Sequence, residues 1–252
     1  MSTSTADNSQ SVPREEPPTR VPNILMKPED VQAVRILLQN LLPLELIEHI
    51  LEEAECWPRI HAERTSNIIV RTRHQNKYKA AWCYLLSPPL PAEGNDMLQK
   101  ARRVTIKIQA HDQGWVNDPS AGAWSWFEAI IIKPHDTQKL SWFSTALEAA
   151  TDVFSADSDL PFVDPLCDFT RWNINENVVA DECKQSHSVV WTREAEGLEF
   201  SNADGPKGRE GLGHELVRSL KPGDRIALLA LAQYPSWENH VFSASIDIEY
   251  AA

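Results

Sequence analysis

The stretch Arg103–Ala110, "RVTIKIQA", alternates with period two. Val104, Ile106, Ile108 and Ala110 share one side; Arg103, Thr105, Lys107 and Gln109 share the other. Successive side chains on extended backbone point to opposite faces, so this is a strand with one face on a core and one in water. The pattern returns in "ASIDIEY", where Ala244, Ile246, Ile248 and Tyr250 alternate with Ser245, Asp247 and Glu249. "NIIVRT", "AAWCYLLSPPLP", "RWNINENVVA", "HSVVWT" and "DRIALLALAQ" are further short strands punctuated by Pro, Gly, Asn and Asp. "WSWFEAIIIK" is apolar on both faces, which predicts a strand covered on both sides. Strands do not alternate regularly with helices, so a parallel α/β sheet is disfavoured. The pattern predicts a mainly β, antiparallel sandwich over residues 67–252.

Ahead of it the period changes. Residues 1–22 are Ser, Thr, Pro and charge, with too little apolar surface to offset ordering entropy, and are expected to be a disordered tail. Residues 23–62 read as helical. In "KPEDVQAVRILLQNLL" the apolar set Val31, Val34, Leu37, Leu38 and Leu41 follows helical spacing, with Glu29 and Asp30 in the first turn. A second helix begins at Pro43, carries Leu44, Ile47, Ile50, Leu51 and Ala54 on its apolar face, and ends at Trp57–Pro58. Two short helices bury little surface alone, so one face must dock on the main domain or on a partner.

Composition narrows the function. A formal charge of −12 and a pI near 5.1 argue against nucleic acid or an acidic membrane as partner. "MSTSTADNSQ" lacks a basic start followed by an apolar run, and no stretch approaches the ~20 apolar residues of a membrane helix, so a cytoplasmic or nuclear protein is expected. Cys56, Cys83, Cys167 and Cys183 are scattered and are expected to be reduced thiols. Phosphate-binding, dinucleotide, nucleophile-elbow and zinc-protease signatures are missing, so the chain is expected to be non-enzymatic and to need no cofactor. Cys183-x-x-x-His187 with Cys167 and Asp181 offers one loose ligand pair where zinc sites show two tight ones, so no metal is expected.

Two turns carry the remaining chemistry. In "HDQGW", residues 111–115, His111 and Asp112 are strand neighbours that point apart, so they do not form an acid–base pair. Gly114 permits a left-handed bend, Asp112 can accept backbone N–H groups, and Trp115 is expected to fold over the core as a lid. "YPSWENH", residues 234–240, repeats the theme of a Trp in a polar turn. If the two turns meet at one sandwich end, Asp112, Gln113, Trp115, Trp237 and Asn239 form a candidate ligand site, flanked by Glu238 and His240. The other strand-end tryptophans, Trp124, Trp126, Trp172 and Trp191, read as core.

Within the helical segment, "LLPLELIEHILEEAECW" resembles the first half of an F-box; the second half is not evident in "PRIHAERTSNIIVRT". That resemblance implies contact with an adaptor subunit through Leu44, Leu46, Ile47 and Ile50. Beyond residue 80 the chain resembles a group of fungal proteins. They share the His-Asp-Gln-Gly-Trp turn, a Trp-x-Trp-Phe-Glu strand, an Asn-x-x-Ala…His-x-x-x-Trp pair and a Tyr-Pro-x-Trp-x-Asn segment. The resemblance implies a jelly-roll sandwich of the galactose-binding type. Together these features predict a protein-interaction module, in one version a substrate receptor of a cullin-type ubiquitin ligase. The alternative is a lectin-like module that uses the Trp-rich sandwich end on a glycan.

Overall fold

The computed structural model describes residues 26–71, 79–91, 100–118, 120, 122–137, 140–141, 143, 154–156, 170–194 and 213–251. The tail expected over residues 1–22 lies outside them. Helices α1 (Pro28–Gln39) and α2 (Leu44–Glu53) form an antiparallel hairpin. Pro28 opens α1, and the Lys27 N–H donates to the Asp30 carboxylate at 3.0 Å, satisfying one group at the helix start. The hairpin has its own small core of Val31, Ile47 and Leu51, ringed by Met26, Val34, Leu38, Leu42 and Cys56. Leu37 and Leu41, expected on this inner face, are exposed. One residue is about 100° of helix, so Leu38 faces α2 where Leu37 cannot, and Leu41 falls in the turn after α1.

The first strand, β1 (Arg59–Arg71), begins inside the segment expected to be helical. Few apolar residues mark its start, and a register shift between Thr65 and Ile68 interrupts its alternation, which hid it. The other strands are β2 (Lys79–Leu86), β3 (Ala101–His111), β4 (Ser125–Ile132), β5 (Phe154–Ala156), β6 (Arg171–Glu176), β7 (Gln185–Thr192), β8 (Arg225–Gln233) and β9 (Glu238–Tyr250). A third helix, α3 (Gly213–Ser219), was not foreseen; it packs Leu216 and Val217 onto the core.

The strands form two sheets, ordered β5-β1-β9-β3-β7 and β2-β8-β4-β6. All pairings are antiparallel except that of β5 with β1. The fold is mainly β and sandwich-like, with both sheets contributing to one hydrophobic cluster. Val104, Ile106, Ile108 and Ala110 of β3 point inward beside Ala244, Ile246, Ile248 and Tyr250 of β9, as the alternation requires. Every residue of β4 is buried, matching its two-sided apolar pattern. Among the described residues no helix is long and apolar enough to cross a membrane.

The hairpin sits at the end of the sandwich where β1 and β3 begin and β9 finishes. The Arg59 N–H donates to the Met26 carbonyl at 2.9 Å, Arg102 pairs with Glu52 at 2.8 Å, and Arg103 bridges Glu55 and Glu249. The Arg103 guanidinium also lies 5.1 Å from the Trp57 ring, whose N–H donates to Glu52.

Candidate functional site

The two Trp turns meet at the opposite end. His111 closes β3 and Glu238 opens β9, and the register pairs His111 with His240. Their imidazoles stack at 4.6 Å, and the Phe242 ring lies 5.2 Å from His111. His240 also contacts Glu238 at 2.8 Å, yet burial holds its pKa below the ordinary histidine value. The Gln113 side chain clamps both turns: its oxygen accepts the Glu238 N–H at 3.3 Å and its amide donates to the Trp115 carbonyl at 2.7 Å.

Asp112 is fully buried, and its carboxylate accepts three backbone N–H groups: Gly114 at 2.7 Å, Ala180 at 2.6 Å and Asp181 at 3.1 Å. It therefore ties the end of β3 to the turn after β6. Gly114 has φ +81°, the left-handed bend its place in the sequence suggested. Asn239, also fully buried, donates to the carbonyls of Trp126 at 3.0 Å and Leu231 at 3.1 Å and accepts from the Asn177 amide at 3.0 Å. That amide chain joins β9 of one sheet to β4 and β8 of the other. Asp112, Asn239 and Gln113 were expected to meet a ligand; Asp112 and Asn239 instead hold the framework from the interior, while Gln113 ties the two turns together and still lines the cleft between them.

Trp115 is corrected in the other direction. It is 52% exposed and covers no core. With Trp237 it lines a cleft of about 250 Å³, together with Asn117, Asp118, Pro235 and Ser236. Tyr234 and Ser236 hold the second turn in the left-handed region, at φ 70° and 76°, a strain that in non-glycine residues gathers at functional sites. The structure thus brings Gln113, Trp115 and Trp237 together at one cleft and withdraws Asp112 and Asn239 into the interior. Sequence reasoning missed Asn117 and Asp118, although they follow the Trp turn directly and add polar groups to the cleft lining. Trp126, Trp172 and Trp191 are buried as expected, and Trp124 is half-buried, edge-on to Tyr234 at 4.8 Å.

The hairpin is the second candidate surface. Six of the ten exposed large apolar side chains among the described residues lie between Ile36 and Ile50, so exposure is concentrated there. Arg35 and Glu48 bridge the two helices at 2.9 Å on one side. Two residues turn a helix by about 200°, so Leu37, Leu46 and Ile50 lie on the side away from that bridge. Leu37 is 68% exposed and Leu41 78%. Ile47, expected to meet a partner, is fully buried in the hairpin core and cannot do so.

A third feature was not anticipated. The outer face of the larger sheet carries a groove of about 590 Å³ lined by His61, Glu63, Lys107, Gln109, Ser245 and Asp247, among others. His61 pairs with Asp247 at 2.8 Å and with Glu63 at 3.4 Å, and the Asp247 hydrogen bond raises its pKa. No nucleophile in contact with a base accompanies this pair in the described contacts. A buried charge cluster on β4 and its neighbours also escaped the sequence reading: Glu128 accepts the Trp126 indole N–H at 2.9 Å and faces Arg171 at 3.3 Å. Among the described residues no three His, Cys, Asp or Glu side chains converge to hold a metal. The chain matches no family model, no curated protein and no solved structure.

Proposed function

We propose that this chain is a protein-interaction module of the cytoplasm or nucleus, in which the hairpin seats an adaptor subunit of a cullin-type ubiquitin ligase and the sandwich presents a target. The observation that carries the reading is the set of exposed aliphatic side chains Leu37, Leu41, Leu46 and Ile50; Leu44 is exposed too, but four residues of helix place it on the side of Glu48. Burying each such side chain is worth about 1.5–3 kcal/mol, and this concentration of exposed apolar side chains on one short segment supports an interaction surface there. The sandwich itself we assign to the jelly-roll class. Strands β1 to β4 alternate between the two sheets, as do β6 to β9 after the β4–β6 pair, an arrangement that supports two interlocked Greek keys. A glycan at the sandwich end would draw hydroxyl partners from Asp112, Gln113 and Asn239. Asp112 and Asn239 are buried and engaged within the protein, which favours the interaction reading over the lectin-like one.

The test is direct mixing of the purified chain with the purified adaptor, read by size-exclusion chromatography and calorimetry. A stable complex is expected for the native chain, with affinity falling by roughly tenfold or more in Leu46→Glu and Ile50→Glu. Failure of the native chain to bind the adaptor would sink the ligase version.

A further inference from the structure

We infer that the cleft between the two Trp turns is a binding site for an organic cation, the guanidinium or ammonium head of a side chain on a partner protein. The cleft is small, about 250 Å³, below the roughly 300–1,000 Å³ of pockets for drug-sized ligands, and suits one side-chain head. Two indoles, Trp115 and Trp237, and one carboxylate, Asp118, line it beside the uncharged Gln113, Asn117 and Ser236, and among the described residues no Lys, Arg or His does. Aromatic faces attract cations through the ring quadrupole, and Trp does so best.

Asp118 is prepared for the same role. Both the N–H and the hydroxyl of Ser120 donate to its Oδ1, at 2.9 Å and 2.6 Å. The hydroxyl bond, then the N–H bond, hold the carboxyl below its ordinary pKa, so the group is ionised at neutral pH. Its other oxygen, Oδ2, makes no hydrogen bond among the described residues. Asp112 and Asn239, two of the groups a sugar on this end was expected to use, are buried and engaged elsewhere. The walls are also fixed in advance by the Gln113 clamp and the left-handed residues Gly114, Tyr234 and Ser236, so little ordering accompanies binding. The chain's charge of −12 favours approach of a basic partner.

This inference takes the sandwich as the target-facing part of the proposed function. The cleft titration and the adaptor-mixing experiment use different ends of the molecule, so either can fail alone. The full-length ¹⁵N-labelled chain is titrated with N-acetyl-arginine methylamide, its neutral isostere N-acetyl-citrulline methylamide, tetramethylammonium and methyl β-galactoside. The readout is the Trp115 and Trp237 indole N–H resonances. Saturable shifts with the arginine probe are expected, with the citrulline probe about tenfold weaker or more. Asp118→Asn should weaken the arginine probe by a similar factor and flatten its salt dependence. Asp118 and Trp115 are exposed, so Asp118→Asn and Trp115→Ala should retain the native melting temperature. Equal binding of the citrulline and arginine probes would overturn the proposal, as would shifts with the galactoside alone or with no probe. Tighter binding of tetramethylammonium than of the arginine probe would assign the cleft to a small quaternary amine and overturn the protein-borne partner.

Discussion

Replacing Asp112 with Asn tests whether the turn is held by charge or merely by shape. In the native fold Oδ1 accepts the Gly114 and Asp181 N–H groups, and Oδ2 accepts that of Ala180 at 2.6 Å. An Asn side chain of the same shape keeps its oxygen toward the first two and sets an NH₂ group against the third. One charge-assisted bond, worth about 1.5–3 kcal/mol, is lost, and a donor is left facing a donor. The two surviving bonds fall toward neutral strength. The sum is about 3 kcal/mol. Asp112→Ala should cost only slightly more, about 4 kcal/mol, because the Ala180 and Asp181 amides lie near the surface and can rehydrate in part. For a chain of this size 3 kcal/mol corresponds to a melting-point loss of roughly 6–12 °C. Urea denaturation followed by near-UV circular dichroism measures it. Asp118→Asn, an exposed carboxylate on the same turn, should stay within about 0.5 kcal/mol of wild type. If Asp112→Asn also stays within that margin, the buried carboxylate is not what fixes the corner.

Three further outcomes follow from local geometry. A Cβ on Gly213 would fall 1.7 Å from Cδ2 of the buried Trp191 indole, whereas one on Gly114 would meet the flexible Glu182 side chain. Gly213→Ala should therefore cost about 2–3 kcal/mol and Gly114→Ala about 1–2 kcal/mol from the backbone alone; the reverse order in urea melts would refute the packing argument. His61 is raised above its ordinary pKa of 6.5 by its hydrogen bond to Asp247. Its stabilisation is thus fully present below 6.5 and is lost as pH rises through the raised folded value, whereas burial lowers His187 and reverses the sign. NMR titration should place the His61 midpoint above that of His187, and coincident midpoints would contradict both environments. Burial pushes the Cys83 thiol up to about 12, while Cys183 is exposed. Iodoacetamide should label Cys183 in the native protein and Cys83 only after denaturation, with equal rates counting against the described core.

Much of the β architecture could be read from pattern. The alternation in β3 and β9 and the two-sided apolar run of β4 reflect burial geometry that a strand imposes on its own residues. β1 was seen late because a bulge broke its period, and α3 was missed because its seven residues are too few to display one. At the site, the sequence indicated Gly114's bend and left open whether the two Trp turns meet, which the pairing of His111 with His240 decides. It misplaced the polar residues. Asp112 and Asn239 have the chemistry of ligand contacts, and only the arrangement of backbone N–H and carbonyl groups from distant strands shows that they are already satisfied. Trp115 posed the opposite difficulty, since an indole beside a turn suits a lid or a platform equally until its exposure is known. Ile47 and Leu46 likewise look alike in sequence, and one step of helical rotation separates the buried residue from the exposed one.

The two candidate surfaces lie at opposite ends of the same strands. β9 starts at Glu238 beside the cleft and finishes at Tyr250 beside the hairpin; its thirteen residues, fully extended, span about 40 Å. Coupling between the ends would require an element with two arrangements that both sites bias. The pairing of β9 with β3 runs from His240 to Tyr250 over side chains packed in one core, and the turns at the cleft are fixed by Asp112, Gln113 and Asn239. Among the described residues that pairing is continuous, with register shifts only near its two ends, between Ala101 and Arg103 and between Gln109 and Ala110. The ends should therefore bind independently, and a chain engaging a partner at each would act through the distance it imposes. On the proposed function, its contribution would be the effective concentration of one partner near the other, set by the length of the sheet.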